Sequence, residues 1–108
     1  MSGLSGKRCI PCEEGAEKLS KEQAQDLMAQ VPGWTLSEDA TALTRSYAFK
    51  DFAKALEFAN KVGALAEEEW HHPELVVGWG KVDITFTTRS IRGLAENDFI
   101  MAAKVNML

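Results

Sequence analysis

The sequence predicts a single α+β domain: a two-layer sandwich of order α-β-β-α-β-β-α, with a four-stranded antiparallel sheet and three helices packed on one face. Three observations predict it. Two pairs of short segments are rich in β-formers, each pair is joined by a short polar or glycine-containing turn, and stretches with apolar residues at helical spacing stand before, between and after the pairs. Two antiparallel hairpins can join into one sheet, and amphipathic helices then cover its apolar face. At 108 residues the chain fits one domain. Domains of this size bury a modest share of their surface, so a homodimer or tetramer is expected.

Residues 1–18 carry Gly, Ser, Lys and Glu without periodicity and are expected to form a flexible N-terminal tail, leaving residues 19–108 as the domain. Ser20 can cap the first helix, with Gln23 reaching back to the Ser20 backbone, and Ala24, Leu27, Met28 and Val31 recur at helical spacing. Pro32-Gly33 ends it. Residues 34–36 and 42–49 read as strands around the polar Ser37-Glu38-Asp39 turn, with Leu43, Tyr47 and Phe49 on one face. Asp51 is a good N-cap for a long helix reaching about Trp70, whose apolar stripe is expected to be Phe52, Leu56, Ala59, Val62 and Ala66. Residues 75–79 and 82–88 read as a second hairpin turning at Gly80-Lys81; Val82, Ile84 and Phe86 share one face, with Asp83, Thr85, Thr87 and Arg89 on the other. A final helix carries Asp98 in its first turn, followed by Phe99, Met101, Ala102 and Ala103.

A formal net charge of −4 with no Lys/Arg stripe argues against direct contact with nucleic acid. No apolar run is long enough to span a bilayer, and the N-terminus lacks an export-signal pattern, so no membrane partner is expected and a cytoplasmic location is. Cys9 and Cys12 have the spacing of two zinc ligands or a redox pair, but no second Cys or His pair completes a tetrahedral site. They read instead as two reduced thiols on the tail.

The chemistry concentrates in Glu67-Glu68-Glu69-Trp70-His71-His72-Pro73-Glu74, where both histidines of the chain stand side by side. Pro73 disfavours helical geometry at His72, so the helix must stop here and release the imidazoles into a loop. An unperturbed imidazole, with a pKa of about 6.5, suits proton transfer at neutral pH. Two other readings stay open: a surface turn that happens to carry histidines, and a metal site using Glu67 with His71 or Glu68 with His72, for which a third and fourth ligand are not evident.

The series Glu67-x-x-x-His71-His72-Pro73-Glu74, Trp79-Gly80-Lys81-Val82 and Gly93-Leu94-x-x-x-Asp98-Phe99 resembles the signature of the pterin-4a-carbinolamine dehydratase family. The likeness extends through Leu19-Ser20, Pro32-Gly33-Trp34 and Phe49-Lys50-Asp51-Phe52. Residues 96–104 and the Cys-bearing leader look like the bacterial branch. The resemblance implies dehydration of 4a-hydroxytetrahydropterin (4a-hydroxytetrahydrobiopterin) to quinonoid dihydropterin, in pterin cofactor recycling, without metal or organic cofactor. It implies His71 and His72 as the catalytic pair, and Glu67, Pro73, Glu74, Trp79, Arg89 and Asp98 as substrate-binding residues. Arg89 stands where the family usually has a third active-site histidine. Arginine stays protonated and cannot shuttle a proton, so activity is expected to be reduced; Arg89 is expected to pair with Asp98 or Glu67. Leu75 replaces a frequent aromatic, and Ala95 replaces a side-chain cap. The family also implies an alternative role as a protein-binding or assembly factor, RuBisCO-associated or coactivator-like, with a protein client.

Overall fold

A computed structural model of the chain describes residues 3–9 and 17–108. The elements run α1 (Lys21–Leu27), β1 (Thr35–Leu36), β2 (Leu43–Ala48), α2 (Phe52–Glu69), β3 (Glu74–Gly78), β4 (Lys81–Phe86) and α3 (Glu96–Val105). The four strands form one antiparallel sheet in the order β1-β2-β4-β3. This is the α+β order expected. Val82, Ile84 and Phe86 of β4 enter the core, while Asp83 and Thr85 alternate onto the open face. The core closes on Leu43, Val62, Leu94, Phe99 and Met101. α3 lies deepest, with every residue from Asn97 to Ala103 buried.

The helix starts follow the sequence. The Ser20 hydroxyl accepts from the Gln23 N–H while the Gln23 side chain accepts from the Ser20 N–H, and the Asp51 carboxylate accepts from the Lys54 N–H. α1 is shorter than its periodicity suggests, tightening into a 3-10 turn at Met28–Gln30 before Pro32-Gly33.

Three expectations need correction. The buried stripe of α2 is Ala55, Ala59, Val62 and Ala66, whereas Phe52 and Leu56 face outward. Alanines let the helix axis sit close to the sheet, and the aromatic weight is carried by Phe58, whose ring lies 4.5 Å from Tyr47 and 5.3 Å from Phe49. The second hairpin turns at Trp79-Gly80, one residue earlier than expected, because Gly78 pairs with Lys81; glycine takes the second turn position with φ +74°. Third, residues 3–9, assigned by sequence to the tail, lie against the domain. Gly3–Gly6 forms a 3-10 turn beside α3, and Leu4 is buried. The Lys104 ammonium donates to the Ser5 carbonyl, Lys7 pairs with Glu96, and Arg8 and the Cys9 N–H both engage the buried Glu69 carboxylate at 3.0 Å. Cys12 lies outside the described residues.

Candidate functional site

α2 ends where the chemistry begins. Trp70 takes a left-handed conformation, φ +55° and ψ +43°, and the N–H of His71 turns back to the Ala66 carbonyl. Pro73 then holds His72 extended, and the chain enters β3 at Glu74. The two histidines thus leave the helix on different paths.

His71 is buried and His72 is exposed. The His71 ring lies parallel to Phe86, with centroids 6.1 Å apart, and its Nε2 donates to Asp98 Oδ1 at 2.6 Å. Asp98 is fully buried in the first turn of α3, and its Oδ2 accepts from the Thr88 hydroxyl at 2.6 Å and the Ala95 N–H at 3.0 Å. Three donors therefore converge on one carboxylate. A carboxylate only accepts, so Nε2 of His71 carries the proton and Nδ1 is left as its accepting nitrogen. Among the described residues no enclosed side-chain nitrogen or oxygen is left unsatisfied, and no partner is seen for Nδ1, so that atom opens to solvent. The bond to Ala95 also satisfies an N-terminal amide of α3 from within the helix, while the Asp98 N–H turns back to the Ala95 carbonyl at 3.1 Å.

His72 pairs through Nε2 with Glu67 Oε2 at 2.5 Å, one helical turn back on α2, and its ring makes a T-shaped contact with Trp70. Arg89 donates to Glu74 at 2.9 Å, both side chains being largely exposed. The expected pairing of Arg89 with Asp98 or Glu67 is not the one formed: Asp98 is saturated by buried donors and Glu67 is held by His72.

These groups surround a cleft of about 470 Å³ lined by Trp70, His71, His72, Pro73, Glu74, Thr85, Thr87, Thr88, Arg89 and Ser90. That volume suits a small organic molecule. Of the residues singled out from sequence, His71, His72, Pro73, Glu74 and Arg89 line the cleft, and Glu67 and Asp98 stand behind the two imidazoles. Trp79 does not join them. It sits exposed in the turn at the far end of β3, five residues and about 17 Å of extended chain from Glu74. Sequence reasoning passed over Trp70, Thr88 and Ser90. Thr85 and Thr87 were already visible as the polar alternation of the last strand. Among the described residues no three His, Cys, Asp or Glu side chains gather as a metal-ligating cluster.

The match to known proteins covers the same ground. The model of the family described as pterin 4 alpha carbinolamine dehydratase matches residues 17–108, the domain and every residue of the cleft. The chain belongs to this family. Among curated relatives, one from Methylococcus capsulatus is 50% identical over 105 residues, covering 97% of this chain and 92% of the relative. Another from Cupriavidus pinatubonensis is 48% identical over 105 residues, covering 97% and 90%. Both are provisionally named pterin-4-alpha-carbinolamine dehydratases. Among solved structures, a transcriptional coactivator/pterin dehydratase from Brucella melitensis aligns with a TM-score of 0.78 at 34% identity, over 84% of this chain and 97% of that one. A pterin dehydratase-like protein identified as a RuBisCO assembly factor in the alpha-carboxysome aligns with a TM-score of 0.59 at 25% identity, over 72% and 90%.

Proposed function

We propose that this protein dehydrates a 4a-hydroxytetrahydropterin to the quinonoid dihydropterin, with His71 and His72 as its acid–base pair. The observation that carries the reading is the buried His71–Asp98 contact at the wall of a ligand-sized cleft that His72 also lines. A surface turn that merely happened to carry histidines would have no use for a fully buried carboxylate aligned on one of them.

The reaction breaks the C4a–O bond, releases water and removes a proton from a ring nitrogen, so it needs one proton donor and one acceptor. His71 offers Nδ1 as acceptor, and the imidazolium formed there is stabilised by the Asp98 carboxylate 2.6 Å from Nε2. His72, as the imidazolium paired with Glu67, gives its proton to the departing hydroxyl. The two proton transfers cancel, and exchange with water resets the pair. Thr88 and the Ala95 N–H hold Asp98 and hence the His71 ring, a preorganisation that matters because misplacement of about 1 Å costs on the order of a hundredfold in rate. Arg89 at the rim donates to a polar ring substituent, with Glu74 holding the guanidinium in place. A homodimer formed along the unpaired edge of β3, where Val76 is exposed, would give this small domain additional burial.

The test is the stopped-flow rate of dehydration of synthetic 4a-hydroxytetrahydropterin with wild type, His71→Ala and a protein-free blank. A wild-type rate well above the blank that His71→Ala removes supports the reading; a wild-type rate equal to the blank ends it. A second reading, a protein-binding role, is supported by the fold shared with a RuBisCO assembly factor and by the resemblance read from the sequence, which puts Arg89 where the family usually has a third histidine. It predicts that activity emerges only in Arg89→His.

A further inference from the structure

Trp70 makes two locally unfavourable choices at once. Its backbone is left-handed, a region that bulky side chains rarely enter and that Gly or Asn occupies more readily at a helix C-terminus. Its indole is 73% exposed, although tryptophan is among the more buried residue types on average. Neither choice helps the helix, since the Trp70 and His71 N–H groups would reach the Ala66 carbonyl with any side chain at this position. Local rules broken together in this way tend to mark functional positions.

Where the ring lies says what it could do. It borders the cleft next to His71 and His72 and is braced by the His72 ring in a T-shaped contact, with centroids 4.9 Å apart and planes at 80°. The same cleft is lined by Thr85, Thr87 and Arg89, which bring hydroxyls and a guanidinium to it. The lining therefore combines a flat π surface with a set of polar groups. A planar, conjugated, nitrogen-rich bicycle fits both.

Resting on the dehydratase reading, we propose that Trp70 is a specificity-determining residue that stacks on the pterin bicycle and sets its position against the two imidazoles. Stacking of an aromatic side chain on a heterocyclic base changes affinity by roughly five- to hundredfold. The strained backbone at Trp70 is then tolerated for binding rather than for folding, and binding and stability should move in opposite directions when the ring is removed.

The experiment compares wild type, Trp70→Asn and Trp70→Phe by steady-state dehydration of synthetic 4a-hydroxytetrahydropterin and by thermal unfolding. Trp70→Asn relieves the left-handed strain, so Tm should rise by a few degrees. Its KM should rise about tenfold or more, with kcat changed far less, because the ring binds and does not transfer protons. Trp70→Phe keeps a π face and should hold KM within about threefold of wild type. An unchanged KM in Trp70→Asn overturns the proposal, as does a lowered Tm there, which would make the ring structural. Wild-type protein that fails to accelerate dehydration is a different failure: it removes the dehydratase reading, and the stacking role with it, in the first arm.

Discussion

Replacing Asp98 with asparagine keeps the size of the side chain and removes its charge. The amide oxygen can still accept from the Thr88 hydroxyl and the Ala95 N–H, but its NH₂ then faces Nε2 of His71. To accept from that NH₂, Nε2 must give up its proton, and the ring switches to the Nδ1–H tautomer. The nitrogen facing the cleft becomes a donor where an acceptor is needed. Losing one positioned base costs roughly 10²–10⁴-fold, or about 3–5 kcal/mol of barrier. Stability should change by only about 1 kcal/mol, because the number of buried hydrogen bonds is kept. Asp98→Ala is the contrast. It strands up to three donors in the interior, each at about 1–3 kcal/mol, against a total stability of about 5–15 kcal/mol for a small domain. Stopped-flow dehydration and urea unfolding on both variants separate the two effects: asparagine should yield a folded, slow protein, and alanine an unstable one. An Asp98→Asn rate within about threefold of wild type would refute the tautomer argument.

Arg89→His should raise the dehydration rate by about tenfold or more while shifting stability by less than about 0.5 kcal/mol, since the Arg89–Glu74 pair is exposed; stopped-flow rates and thermal melts check both. Burial holds the phenol of Tyr47, the single tyrosine of the chain, above its ordinary pKa, with the nearby Arg45 charge opposing. The folded protein therefore keeps this proton to higher pH than the unfolded chain, and stability is lost as pH rises from the unfolded value of about 10 through the folded one. Absorbance titration should give a midpoint above 10, and Tyr47→Phe should flatten that part of the stability profile. Leu4→Ala should lower stability by about 2 kcal/mol in urea unfolding, and an unchanged midpoint would show that the docked N-terminal segment adds nothing.

The order of elements was legible because turn and cap signals are local: Ser20, Asp51 and Pro32-Gly33 act within a few residues of themselves. The rotation of α2 was not. Phe52 and Leu56 fit the helical period as well as Ala55 does, and only the close approach of helix to sheet decides that the small residues face inward. The hairpin slipped by one position because glycine serves either turn place, while the pairing of Gly78 with Lys81 is a property of the sheet. At the site, His71, His72 and Pro73 announced themselves as neighbours in sequence. Thr88 did not, since its only distinction is to meet a carboxylate ten residues on, buried between two elements. Arg89 was visible as a charge, but its partner is settled by competition: the buried donors and His72 occupy the other two carboxylates, leaving Glu74.

The docking of residues 3–9 also bears on the order of assembly. The contacts of Lys7 with Glu96 and of Ser5 with Lys104 span 89 and 99 residues, nearly the whole chain, so they close very long loops. Loops of that length form late, after local hairpins and helices are in place. Residues 3–9 are thus among the last to find their seat, which exists only once α3 has been made. Protection of the amides around Leu4 during refolding would therefore date the completion of the domain, from a segment that is synthesised well before its seat.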